Sequence, residues 1–191
     1  VTVTETNEVT IDSIIINNIR CNGLSDGYAS VIVNGGTLPY MIDWGGVNPN
    51  SLNAGTYSVL IVDDNGCLVT ESLSITEPSI ITSINTIQNL TCNNVNDGIV
   101  DMTVSGGVSP YSYLWNTGDT TEDLLNISSD MYILSLTDMY NCFFTDTIVV
   151  FEPDQLVADL SFSSGTLVSI GSGGTVPYTY EIYGPTGLFA N

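Results

Sequence analysis

The stretch Gly35 to Trp44 reads GGTLPYMIDW, and it returns as GGVSPYSYLW from Gly106 to Trp115 and as GGTVPYTYEI from Gly173 to Ile182. A phrase that recurs at this spacing marks a repeat architecture, which decides the fold before any single element is read. Its two glycines end one strand and make a turn, where positive φ costs glycine little. Pro39 then begins the next strand, where its missing N–H does least harm. Tyr40, Ile42 and Trp44 follow at i, i+2 and i+4, so they share one face of a strand. Tyr111, Tyr113 and Trp115 repeat that spacing, as do Tyr178, Tyr180 and Ile182. Rings at strand period face a core more often than they build a sugar-binding platform. Tyr40, Trp44, Tyr111, Trp115 and Tyr178 are therefore expected as core aromatics.

The copies align by spacing. Cys21 and Cys92, Gly35 and Gly106, Pro39 and Pro110, and Trp44 and Trp115 are each 71 residues apart. Beyond the Trp the interval becomes 75, for Tyr57 and Tyr132, Cys67 and Cys142, and Glu77 and Glu152, so copy two carries four extra residues in its middle. Copy three repeats the Gly–Gly and Pro–Tyr pairs 67 residues after copy two. The organisation expected is a tail of a preceding copy at 1–5, copy one at 6–77, copy two at 78–152 and a partial, divergent copy three at 153–191. The chain reads as a length of a longer array.

Within a copy the hydrophobic period is two. Ala29, Val31 and Val33 alternate with polar or small partners, and Val100, Met102 and Val104 match them. Tyr57, Val59 and Ile61 match Tyr132, Leu134 and Leu136. Short alternating runs between Gly, Asn and Asp turns, with no helical stripe, predict strands throughout. The fold class expected is all-β: tandem immunoglobulin-like antiparallel β-sandwich repeats forming an elongated rod. Glu77–Pro78 and Glu152–Pro153 join the copies without a Gly/Ser linker, and Pro stiffens such joints.

Charge narrows the partners. One Lys or Arg (Arg20), no His and 21 Asp plus Glu give a net charge of -20. Such a surface repels nucleic acid and anionic lipid, which are held mainly through Lys and Arg. A hydrophobic content of 43% is that of a folded protein. No apolar run approaches the roughly 18 residues of a bilayer span, so no membrane insertion is expected. Four Cys and a low density of charge suit an exported protein.

Cys21 and Cys67 bracket copy one, as Cys92 and Cys142 bracket copy two. Four Cys allow three connectivities. Pairing inside copies respects the repeat, which predicts Cys21 with Cys67 and Cys92 with Cys142 as structural disulfides. Closing a loop of about 47 residues contributes roughly 4 kcal/mol by the chain-entropy estimate. Zinc would want close Cys spacing, and a catalytic thiol would want a His or cationic neighbour; neither pattern is present. Copy three lacks the leading Cys and its NDG turn, so no disulfide is expected there, and its edge should differ.

Catalysis finds few candidates. Without His or Lys there is no Ser–His–Asp constellation, no His-based metal site and no Schiff-base lysine in this segment. No phosphate-binding G-x-x-x-x-G-K-[ST] loop occurs. Paired carboxylates can hydrolyse glycosides, but here the acids recur with every copy, whereas an active site occurs once per domain. No enzymatic activity and no catalytic residue are expected. Weak calcium binding is the one cofactor reading: Asp63-Asp64-Asn65-Gly66 before Cys67, Asp138 before Cys142, and Asp26 and Asp97 in SDG and NDG are oxygen-rich turns. The same residues make good turns without any metal.

Taken together, Cys21-Asn-Gly-Leu-Ser-Asp-Gly, Gly35-Gly-Thr-Leu-Pro-Tyr, Trp44, Ala54-Gly-Thr-Tyr57, Asp64-Asn-Gly-Cys67 and Thr76-Glu-Pro78 resemble the SprB repeat. Copy two departs at Ser129-Asp-Met-Tyr132 and at Met139-Tyr140, and copy three lacks the leading Cys. That family builds giant cell-surface adhesins of gliding Bacteroidota. The resemblance implies export across the outer membrane and display on the cell surface, attached through parts outside this segment. The partners it implies are neighbouring repeats of the same chain, an external surface or polysaccharide gripped by other parts of the parent protein, and the export and gliding machinery. It also implies O-glycosylation candidates at Ser13, Thr120 and Thr147, each following an Asp. Two rival functions share the pattern: spacer repeats of a large secreted enzyme, and a static surface coat or biofilm matrix.

Overall fold

The computed structural model describes residues 7–184 and 187–190. The expected tail at 1–5 lies outside them. Among the described residues there is no helix, and fifteen strands form small antiparallel sheets. The all-β sandwich expected from the alternation is the observed architecture.

Copy one is built from β1 (Thr10–Asn17), β2 (Tyr28–Asn34), β3 (Met41–Asp43), β4 (Gly55–Val62) and β5 (Leu68–Ile75). β1 pairs with β2, and β3-β4-β5 form the second sheet. Alternation puts Ala29, Val31 and Val33 of β2 toward Val59 and Ile61 of β4 and Leu73 and Ile75 of β5. Val59 and Ile61 have no exposed surface. Tyr40 and Trp44 pack against this core. Ile42 does not join them: it is 44% exposed. β3 is a three-residue edge strand, and Gly45 and Gly46, both at positive φ, turn the chain away directly after Trp44.

Copy two repeats the plan with β6 (Thr82–Gln88), β7 (Gly98–Ser105), β8 (Ser112–Trp115), β9 (Leu124–Ile127), β10 (Asp130–Thr137) and β11 (Phe143–Val150). Its sheets run β6-β7-β9 and β11-β10-β8. Here the aromatic strip holds, with Tyr111 and Tyr113 half-buried and Trp115 buried. Copy three supplies β12 (Val157–Ser163) and β13 (Thr166–Ser172), a hairpin closed by Ser164 and Gly165, both at positive φ. Two such residues make the turn whose twist suits a two-residue hairpin. A tight turn thus stands where copies one and two carry their Cys loop. β14 (Ile182–Gly184) and β15 (Gly187–Ala190) follow as a second short pair.

The Gly–Gly phrase has one job in all three copies. Its second N–H donates to the chain arriving from the previous copy: Gly36 to the Asn7 carbonyl (2.9 Å), Gly107 to Ser79 (2.8 Å) and Gly174 to Asp154 (2.6 Å). Gly35 and Gly106 sit at φ +74° and +80°, and a Cβ there would run into the Glu8 and Ile80 carbonyl oxygens. The Tyr of each phrase then ties the turn down, as Tyr40, Tyr111 and Tyr178 donate their hydroxyls to the carbonyls of Gly35, Gly106 and Gly173. The Pro between them follows a cis peptide bond in every copy.

By contact the described chain groups into two units. One takes the chain up to Thr82 with Ser105–Tyr111 and Thr137–Cys142; the other takes Ser83–Val104, Ser112–Leu136 and the chain from Phe143 onward. Two loops of copy two therefore belong to the first unit, and they frame the site described next.

Candidate functional site: a disulfide-stapled junction

The cysteines are paired across copies, not within them. Cys21 bonds Cys142, with Cα atoms 5.5 Å apart and 121 residues between them in sequence. Cys67 and Cys92 are exposed and free. This overturns the pairing of Cys21 with Cys67 and of Cys92 with Cys142. The physical reason is that each copy holds its two cysteines in different kinds of turn, and it is the leading loop of one copy that meets the trailing turn of the next.

The leading loop is tied to the strand that leaves its copy. Ile19 N–H donates to the Thr76 carbonyl (3.0 Å), and Thr76 N–H donates to Asn18 Oδ1 (3.0 Å). Beyond Cys21, Asn22 Nδ2 donates to the Pro78 carbonyl (3.1 Å) and Gly23 N–H to Glu77 Oε2 (2.6 Å). Arg20 closes the loop through an ion pair with Asp26 at 2.7 Å. The Arg20 guanidinium hydrogen bond holds the Asp26 carboxyl below its ordinary value.

The trailing turn is organised by a buried Asp. Asp138 accepts N–H bonds from Val108 (2.9 Å), Tyr140 (2.8 Å) and Cys142 (2.9 Å). A carboxylate with three backbone donors is satisfied without a counterion. Asp63 does the same in copy one, accepting from Thr37 (2.9 Å), Asn65 (3.1 Å) and Cys67 (2.7 Å). Burial pushes the Asp63 carboxyl up, but the N–H groups of Thr37, Cys67 and Asn65 outweigh it and leave it below its ordinary value.

Four of the five acids singled out as calcium candidates are held by turn chemistry: Asp63 and Asp138 on backbone N–H groups, Asp26 on Arg20, and Asp97 on the hydroxyl and N–H of Thr91. Among the described residues no three Cys, Asp or Glu side chains converge as a metal-holding group. Beside the staple lies an open groove of about 710 Å³, lined among others by Ile19, Arg20, Glu77, Pro78, Val108 and Tyr140.

Spacing brought the four cysteines to notice but missed Glu77 and Asn18, which set where the leading loop points. Their signal was present. Glu152 and Asn89 stand in the same relation to Cys92, and a Glu–Pro that recurs in register with a Cys loop is more than a linker. Of the core aromatics, Trp115 is buried, while Tyr40, Trp44, Tyr111 and Tyr178 are half-buried.

Compared with known protein families, the chain matches the SprB repeat at residues 13–48 and 84–120, the leading part of copies one and two. The match thus recurs once in each of the two copies, in register with the repeat. No curated protein matches the chain. A repetitive surface-protein segment with a disulfide, and hence an extracellular setting, is what the family and the bond support together.

Proposed function

We propose that this chain is a stalk segment of a giant repetitive cell-surface adhesin used for surface attachment and gliding, with no catalytic role. The observation that carries the reading is the bridge from Cys21 of copy one to Cys142 of copy two. A spacer that only separates domains needs stable beads; a stalk under traction needs its beads fastened to one another. A load entering at the first residues reaches Cys21 and crosses to Cys142, so the chain between the two cysteines is shielded from tension. At about 3.5 Å per residue, roughly 400 Å of chain is withheld from extension. Pulled by its ends, the oxidised chain should stretch shorter than the reduced chain by about that length.

In this reading the protein's work is reach, stiffness and multivalent contact. Its partners are the neighbouring repeats, an outside surface or polysaccharide held by other parts of the parent protein, and the export and gliding machinery. It requires no cofactor, and calcium would act only as a weak turn ligand. The net charge of -20 keeps neighbouring filaments apart. The test is to label living cells with an antibody to this fragment and film them. Label that travels along the cell surface is expected. Label that stays fixed would make the protein a static coat, and label released to the medium would favour a secreted enzyme's spacer.

A further inference from the structure

Two thiols remain, and exported proteins rarely leave exposed cysteines unpaired. Each sits in a half-site whose twin is already bonded. Cys67 donates its N–H to Asp63 and its carbonyl accepts from Asp63 N–H at 2.9 Å, as Cys142 does with Asp138 at 3.2 Å. Gly66 and Asn141, the residues before them, are both at positive φ.

The leading loops match as closely. Around Cys92, Leu90 N–H donates to the Phe151 carbonyl (3.0 Å), Phe151 N–H to Asn89 Oδ1 (3.0 Å), Asn93 Nδ2 to the Pro153 carbonyl (3.2 Å) and Asn94 N–H to Glu152 Oε2 (2.7 Å). These are the bonds that Ile19, Thr76, Asn22 and Gly23 make around Cys21. The bonded pair also fixes the order, since a leading loop takes the trailing turn of the copy that follows. Cys67 and Cys92 stand in the reverse order and are not partners for each other under that rule.

We propose that Cys67 and Cys92 are the two open halves of the same inter-repeat staple. Cys92 takes the trailing-turn cysteine of a repeat that follows in the same polypeptide, and Cys67 takes the leading-loop cysteine of a repeat that precedes. Each bridge joins two sulfurs. The two thiols give up two protons and two electrons to a small disulfide such as oxidised glutathione, which leaves as two thiols. An array so built is stapled at every junction whose leading loop keeps its Cys. Copy three, with no leading Cys, would break the series. The proposal rests on the turn geometry and not on the adhesin reading, and either can fail alone.

The test lengthens the full chain. A second copy of residues 78–152, marked by Phe143→Tyr, is inserted after Glu152, and the protein is folded in a glutathione redox buffer and digested without reductant. The expected map joins Cys21 to the unmarked Cys142 and Cys92 to the marked one, leaving two free thiols. The Cys21–Cys142 bridge in the same digest reports that the junction has folded. The mirror insertion, a second copy of residues 6–77 placed ahead of residue 6 and marked by Leu24→Val, should join its leading Cys to the original Cys67. Four free thiols, a bridge inside one repeat, or dimers linked between chains in both proteins would overturn the proposal.

Discussion

Copies one and two have the same plan, yet they finish their cores differently. In copy one the loop after Trp44 forms no strand: it meets the first sheet at one β-bridge, Gly27 with Leu52, and at one further backbone bond, from Ala29 N–H to the Pro49 carbonyl (2.9 Å). In copy two the four extra residues let the matching loop become β9, which pairs with β7 at Gly98–Ile127, Ile99–Leu125 and Val100–Leu124. The register shifts between Gly98 and Ile99, where Asn126 takes positive φ. The longer loop also folds back over the indole. Trp115 donates Nε1–H to the Thr121 carbonyl (2.9 Å) and is 1% exposed, whereas Trp44 is half-buried. A shared frame thus carries two grades of closure, and the grade is set by loop length, not by the core strands.

The largest test of that difference is removal of the rings. Trp115→Ala should destabilise copy two by about 3–5 kcal/mol, the usual range for a buried Trp, and Trp44→Ala should cost copy one less, about 2 kcal/mol. Denaturant titrations followed by NMR would resolve the copies, and equal losses would break the comparison. Next comes Leu124→Ala. Leu124 of β9 is 2% exposed, and Leu52 of the bridge to Gly27 is 1% exposed. If β9 supplies the same plug that Leu52 supplies in copy one, each substitution should cost about 2–5 kcal/mol. A loss below about 1 kcal/mol at Leu124 would make β9 a decoration on a core already closed.

Period-two alternation made β2, β4, β7 and β10 legible, because a half-buried strand writes its faces into every second residue. It failed at Ile42, since alternation assumes a strand long enough to hold both faces and β3 stops after three residues. The cysteines were visible but their partners were not. Spacing gives distance along the chain, whereas pairing depends on which turns face each other, and that was set by Glu77 and Asn18 reaching back to the leading loop. The extra residues of copy two were countable from the interval, but the strand they form was hidden, because LLNI carries its pairing across a bulge.

Where the copies are alike, the test should show no difference. Tyr40→Phe and Tyr111→Phe each remove one hydroxyl bond to the carbonyl of the first glycine in the turn. Each should cost about 0.5–1.5 kcal/mol, the net worth of a typical hydrogen bond, and the two should agree to within about 0.5 kcal/mol. Unfolding midpoints measured on the same two transitions check this. A larger loss in one copy would mean that the difference in closure reaches the Gly–Gly turn as well.

The smallest effect separates two loops that look equivalent. Asp26 and Asp97 occupy matched positions, and both carboxyls lie below their ordinary value of 3.8. The causes differ: Asp26 is held first by its hydrogen bond to the Arg20 guanidinium, and Asp97 first by the Thr91 hydroxyl. A lowered pKa in the folded state means each carboxylate contributes stability above about pH 4, which is lost as pH falls through the folded value. Charge pairing is screened by salt, and the Debye length shrinks from about 10 Å at 0.1 M to about 3 Å at 1 M. A neutral hydroxyl bond is not screened in this way. Carboxyl titration by NMR at the two salt concentrations should therefore move Asp26 back toward 3.8 and leave Asp97 in place. Arg20→Thr should give Asp26 the salt response of Asp97. If the two acids respond alike before that substitution, the chain's single cation does not set the leading loop of copy one, and the two loops are the same device.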